Sequence, residues 1–161
     1  MTTIVFPGQG SQFIGMSKDF YDNFDVSKEI FDIISDLTKI DIKEIIFQDK
    51  SSLLNQTQYT QLAIFCASSA IYKALIKEIN LESFNIAYML GHSLGEYTAL
   101  ACAGALDFES TLKILKFRGN AMQSAVPKGE GGMLAILGSN TETIEKIFSD
   151  NKDKYQCFIA N

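Results

Sequence analysis

The chain has 161 residues, 47% of them hydrophobic, with 14 basic and 19 acidic residues and a formal net charge of -5. That length and apolar content suffice for one sizeable core, so one domain, or one domain plus a fragment, is expected. An acidic balance without a Lys/Arg run argues against a nucleic-acid or anionic-membrane surface, and no segment has the apolar length of a bilayer span or the pattern of a targeting peptide.

In chain order, residues 3–6 are a short β-rich run that stops at Pro7-Gly8-Gln9-Gly10-Ser11, a turn sequence whose glycines let backbone approach a ligand closely. A first strand followed by a functional loop is predicted. Over residues 26–37, Val26, Ile30, Phe31, Ile33, Ile34 and Leu37 recur at helical spacing, and Ile42, Ile45 and Ile46 repeat the pattern in a shorter piece. Residues 55–79 read as a longer helix whose middle, 62–71, is apolar or small on every side, the signature of a buried helix. Residues 86–90 then supply a short apolar strand.

That strand runs into Gly91-His92-Ser93-Leu94-Gly95, and the Ala- and Leu-rich residues 94–103 follow as a helix. A Gly-x-Ser-x-Gly sequence between strand and helix has the context of a nucleophile elbow, which needs small residues on both sides of the serine. The plainer alternative is a tight turn shaped by its glycines. Ser93 is the candidate nucleophile. His92 is the only histidine; consecutive residues at a strand end point different ways, so it is assigned a packing role beside the elbow rather than the role of base. Gly104 suits a helix stop and Asp107 the N-cap of the next helix, which is predicted to run to about residue 126.

Pro127-Lys128-Gly129-Glu130-Gly131-Gly132 is the clearest linker, and a boundary is placed there, with parts 1–127 and 128–161. Beyond it, residues 133–137 read as a strand, Ser139-x-x-Glu142 as a capping box opening a helix to about 149, and 155–160 as a second strand. Such a βαβ piece has one face to bury and little to bury it against, so the chain reads as cut short at Asn161. Cys66, Cys102 and Cys157 lie far apart among apolar neighbours and read as reduced core residues of a cytoplasmic protein. No residue cluster suggests a metal or bound redox cofactor.

Taken together, Pro7-Gly8-Gln9-Gly10-Ser11-Gln12, Gly91-His92-Ser93-Leu94-Gly95-Glu96-Tyr97, Cys102-Ala103-Gly104 and Arg118-Gly119-x-x-Met122-Gln123 resemble the malonyl-CoA:acyl carrier protein transacylases of bacterial type II fatty acid synthesis, and the acyltransferase domains of fatty acid and polyketide synthases. The resemblance runs from Ile4 to the end of the chain. It implies an α/β fold with a hydrolase-like parallel sheet and an incomplete ferredoxin-like small subdomain. It also implies that Ser93 takes up malonyl from malonyl-CoA as an ester and passes it to the phosphopantetheine thiol of holo acyl carrier protein. The oxyanion donors would be the backbone N–H groups of Leu94 and Gln9. Arg118, which by itself reads as a solvated helix residue, would grip the malonyl carboxylate through parallel hydrogen bonds.

The family's base is a histidine further downstream than any position here. That departure leaves three accounts: a fragment, a split enzyme completed by a C-terminal partner fragment, or a degenerate remnant. The competing functions are therefore malonyl transfer, a serine thioesterase or esterase, and a non-catalytic piece that binds a partner chain or carrier protein. A thioesterase shares the elbow but has no call for Arg118 or the Gln9 loop.

Overall fold

In a computed structural model of the chain, residues 1–78, 84–126, 130–132, 134–154 and 158–159 are described. Strand β1 (Thr2–Phe6) is followed by helices α1 (Lys18–Asn23), α2 (Asp25–Thr38), α3 (Ile42–Phe47) and α4 (Thr57–Glu78). Strand β2 (Ile86–Gly91) is followed by α5 (Leu94–Cys102), α6 (Phe108–Ser124) and α7 (Thr141–Asn151). The chain divides into two compact units, Met1–Lys128 and Gly129–Asn161, and α7 alone of these elements belongs to the second. Among the described residues no helix is long and apolar enough to cross a membrane.

The first unit is α/β, with β1 and β2 paired in parallel so that Phe6 lies beside Gly91. The pairing aligns the two strand ends that carry the Gln9 loop and the Ser93 turn. Two apolar clusters hold this arrangement. The larger joins Phe31 and Ile34 of α2, Ile42 and Ile46 of α3, Leu62 and Phe65 of α4, Leu94 of α5 and Leu115 of α6. The smaller lies under the sheet, where Phe6, Tyr72 and Ala99 are packed against Ile4, Met89 and Cys102.

Helix α4 is buried around most of its circumference from Thr60 to Ala70, as its lack of a polar face predicts. Two buried hydroxyls here are satisfied by backbone: Thr60 Oγ1 of α4 donates to Leu54 O at 2.6 Å, and Ser27 Oγ of α2 donates to the α4 carbonyl Ala70 O at 2.9 Å. Such bonds remove most of the cost of burying a hydroxyl. The predicted cap of α6 is present, with Asp107 accepting from Ser110 N at 2.8 Å, and Gly104 adopts φ 75 just beyond α5.

The structure corrects the reading at several places. Helix α1 carries no buried residue and no side-chain cap bond, so neither an apolar stripe nor a cap announced it. Helix α7 starts one residue later than the proposed capping box: Asn140, not Ser139, accepts from Thr143 N, at 2.9 Å. Asn supplies the same acceptor as Ser. Residues 134–137 form no strand, and Leu134 and Leu137 are exposed. Apolar character alone does not make a strand, which requires a neighbour for its ladder. Phe158 and Ile159 also lie outside any strand, while Met133, residues 155–157 and Ala160, the rest of the predicted strand positions, lie outside the described residues.

Candidate active site

Ser93 sits between β2 and α5 with φ 54 and ψ -110. For a residue with a Cβ this backbone is strained by about 1–3 kcal/mol, and it persists only where the surroundings enforce it. The glycines on either side show what enforces it. A Cβ on Gly91 would lie 1.9 Å from the carbonyl carbon of Gly95, within the elbow itself. A Cβ on Gly95 would lie 2.3 Å from Phe6 O and 2.7 Å from Pro7 O. The first constraint is local to the turn; the second comes from β1 passing across the start of α5.

The Pro7-Gly8-Gln9-Gly10 loop is held against the same turn. A Cβ on Gly8 would lie 2.6 Å from His92 O and 2.8 Å from its Nδ1, and His92 N donates to Phe6 O at 3.1 Å. The His92 side chain thus packs against this loop. Ser11 folds the loop back by donating from N and Oγ to Gly8 O, at 3.3 and 2.8 Å. Gln9 is exposed, and its side chain donates to Thr57 Oγ1 at 3.2 Å at the start of α4. Leu94 is fully buried, and as the first residue of α5 its N–H is among those a helix cannot satisfy internally.

Arg118 of α6 reaches this turn. Its Nη2 donates to Ser93 Oγ at 2.9 Å and its Nη1 donates to Gln61 Oε1 at 2.7 Å, while the guanidinium lies 5.7 Å from the ring centre of Tyr97. The structure therefore brings Ser93 and Arg118, two residues singled out from the sequence, into direct contact. A guanidinium beside Oγ favours negative charge there but has no acceptor capacity, so it cannot take the serine proton.

Gln61 was not anticipated. It is fully buried on α4, accepts from Arg118 and donates through Nε2 to Met122 Sδ at 3.2 Å. The available signal was a long amide at the edge of a run that is apolar all round, because a polar group buried there must find partners. The remaining residues of the Arg118-Gly119-x-x-Met122-Gln123 block also meet α4. A Cβ on Gly119 would lie 2.9 Å from Gln58 Cα, and Gln123 Oε1 accepts from Thr57 N at 3.1 Å, capping that helix. One stretch of α6 thereby fixes the approach of both helices and aims Arg118. An open groove beside it is lined by Gln58, Phe117, Asn120, Ala121, Gln123 and Ser124.

Two cysteines stand apart from this chemistry. Burial raises the Cys66 thiol well above its usual range, and burial pushes Cys102 up to about 12 despite the nearby Lys73. Both are protonated at neutral pH and neither is poised as a nucleophile. Cys157 lies outside the described residues.

The structure sets a strained serine turn beside a helix-borne arginine, and comparison with known proteins gives the chain a family. The profile of the acyl transferase domain matches residues 3–158. The chain belongs to the acyl transferase domain family. Among similar proteins, the malonyl CoA-acyl carrier protein transacylase of Staphylococcus aureus strain MRSA252 is 40% identical over 146 residues, 91% of this chain and 46% of the relative. The crystal structure of the acyl-carrier-protein-S-malonyltransferase of Bartonella henselae is 36% identical with a TM-score of 0.87, covering 100% of this chain and 52% of that one. A structure of a type II PKS acyl-carrier protein in complex with its malonyl-transacylase is 38% identical with a TM-score of 0.81, covering 92% and 47%. The chain thus spans about half the length of the acyl transferases it matches.

Proposed function

We propose that the chain is the N-terminal portion of a malonyl-CoA:acyl carrier protein transacylase of fatty acid synthesis, acting in the cytoplasm. The contact between Arg118 Nη2 and Ser93 Oγ carries this reading, because it sets a carboxylate-binding cation beside an elbow serine. In the transfer, Ser93 Oγ attacks the thioester carbonyl of malonyl-CoA, the C–S bond breaks, and CoA leaves with a proton. The phosphopantetheine thiol of holo acyl carrier protein then attacks the malonyl-serine ester and regenerates the hydroxyl. The N–H groups of Leu94 and Gln9 hold the oxyanion of each tetrahedral intermediate. Arg118 exchanges its bond to Oγ for the free carboxylate of malonyl. No redox change occurs, so the chemistry calls for no cofactor beyond the groups that enter with the substrates. The complex of a related transacylase with its carrier protein supports the choice of acceptor.

The first unit, Met1–Lys128, then corresponds to the beginning of a hydrolase-like acyltransferase core, and the second, Gly129–Asn161, to the opening of a ferredoxin-like subdomain, one residue beyond the boundary placed after residue 127 from the sequence. The parallel pairing of β1 with β2 supports the former and helix α7 the latter. A second reading is a non-catalytic or split piece, favoured by one observation: the sole histidine is His92, whose ring packs against Gly8. In that reading the base arrives on the other half of the domain. A serine thioesterase or esterase is the lesser alternative, since it leaves Arg118 without a task.

Intact mass after incubation with malonyl-CoA or acetyl-CoA separates these readings. A malonyl adduct on the chain that is absent in Ser93→Ala, and that falls about 10–100-fold relative to the acetyl adduct in Arg118→Ala, supports malonyl transfer. No adduct, with or without the other half of a related transacylase, moves the assignment to a binding piece; a transient adduct that ends as free malonate even with holo carrier protein present points to a thioesterase.

A further inference from the structure

The N–H of Gln9 shares a rigid peptide plane with the carbonyl of Gly8, and in a trans peptide the two point in opposite directions. A group that fixes Gly8 O therefore also fixes the direction of the Gln9 N–H. Ser11 does so twice, donating to Gly8 O from Oγ at 2.8 Å and from N at 3.3 Å. The second bond closes a four-residue turn over residues 8–11. Gly10 has φ 106 in that turn, the positive value that a type II turn requires at its third residue.

The peptide on the other side of Gln9 is held as well. Type I and type II turns differ in the orientation of their central peptide, here the one joining Gln9 to Gly10. Gly10 N donates to Gln12 Oε1 at 2.8 Å, which selects one orientation, and Gln12 Nε2 donates to Asn55 Oδ1 at 2.9 Å. The Gln9 side chain is tied to the same segment through Thr57 Oγ1, and Gln123 of α6 steadies that anchor by accepting from Thr57 N. Packing restrains the loop on one side only. A Cβ on Gly8 would run into His92, whereas one on Gly10 would meet nothing within 4 Å. The Gly8 end is wedged, and the Gly10 end is held by hydrogen bonds.

We propose that Ser11 and Gln12 are positioning residues that lock the two peptides flanking Gln9, so that its N–H keeps one direction in the resting protein. The catalytic consequence rests on the malonyl-transfer reading, in which that N–H holds the oxyanion. A donor aimed beforehand needs no reorganisation when the charge develops. Ser11 and Gln12 then act on both transfer steps through the backbone of Gln9, and to the same extent for every acyl group. Arg118, by contrast, acts only on an acyl group that carries a carboxylate.

Nitrogen-15 relaxation of the 161-residue chain reads the order of the Gln9 and Gly10 N–H groups without any substrate. Order parameters near those of rigid backbone, about 0.85, are expected at both. The double variant Ser11→Ala, Gln12→Leu removes both locks and should bring them below about 0.6, with Leu94 still rigid. Ser11→Thr, Gln12→Glu keeps a hydroxyl and an acceptor at the same places and should retain the order. Far-UV circular dichroism checks that each variant keeps its helices. When acylation is followed by intact mass, the first double variant should form malonyl and acetyl adducts at least roughly tenfold more slowly, by one common factor and at an unchanged half-saturating concentration. The second should react as the unchanged chain does. Low order at Gln9 in the unchanged chain, order retained in the first variant, equal loss in the second, a loosened loop with unslowed acylation, or slowing confined to malonyl would each overturn the proposal. An ordered loop in a chain that forms no adduct counts against the malonyl reading alone, so the two failures are distinct.

Discussion

Replacing Gly95 by alanine places a methyl group between α5 and the end of β1. The added carbon would lie 2.3 Å from Phe6 O and 2.7 Å from Pro7 O, where contacts become ordinary only beyond 3.4 Å. Both neighbours are backbone, and Phe6 O already accepts from His92 N at 3.1 Å, so neither moves aside as a side chain would. Overpacking costs about 1–3 kcal/mol. A fixed backbone puts this case at the upper end, about 3 kcal/mol, even before any weakening of the His92 bond. At about 2–4 °C per kcal/mol for a chain of this length, the midpoint should fall by roughly 6–12 °C. Gly104→Ala is the comparator: it has open space around it and a φ of 75, so only the left-handed backbone resists, at about 1–2 kcal/mol. Thermal melts followed by far-UV circular dichroism read both. A Gly95→Ala midpoint within about 2 °C of the unchanged chain, or a smaller loss than for Gly104→Ala, would refute the claim that β1 dictates this glycine.

Three further outcomes are expected. Gln61→Leu removes the acceptor of Arg118 Nη1 and should cost about 1–3 kcal/mol, lowering the urea midpoint without changing the slope; an unchanged midpoint would mean that Arg118 is not anchored through α4. The carboxyl of Asp107 is held below its ordinary 3.8 by hydrogen bonds from the side chain and N–H of Ser110. A lowered folded value stabilises above the unfolded one and is lost as pH falls through the folded one. The midpoint difference between the unchanged chain and Asp107→Asn should therefore be largest near neutrality and shrink below 3.8; a difference that grows on acidification contradicts this. Finally, a thiol reagent at pH 8 should leave Cys66 and Cys102 unmodified until denaturant is added, as peptide mapping would show; rapid labelling of either in the native chain would contradict their burial and raised thiol values.

Much of the scaffold could be read without coordinates because its causes are local. The helical spacing of Val26, Ile30, Phe31 and Ile34 marks α2, the small residues around Ser93 mark the turn, and Asp107 marks the start of α6. In each, the residues that decide the conformation lie within a few positions of one another. The same reasoning failed for residues 134–137, where apolar content suggested a strand that has no ladder. Ser93 and Arg118 were legible as a pair only through resemblance to a family, since nothing local to either tells of the other.

Tertiary packing alone decided how the site is held. Gly91 is required by its own turn, but Gly95 is required by a strand that lies far earlier in the chain, and no local pattern distinguishes the two. Likewise Gln61 looks like a polar interruption in α4 until α6 sets Arg118 on one end of its amide and Met122 on the other. Conformation that follows from neighbours in sequence is written in the sequence. A hydrogen bond or a steric limit between distant segments exists only once burial has brought them together, and the aim of Arg118 at Ser93 is of that second kind.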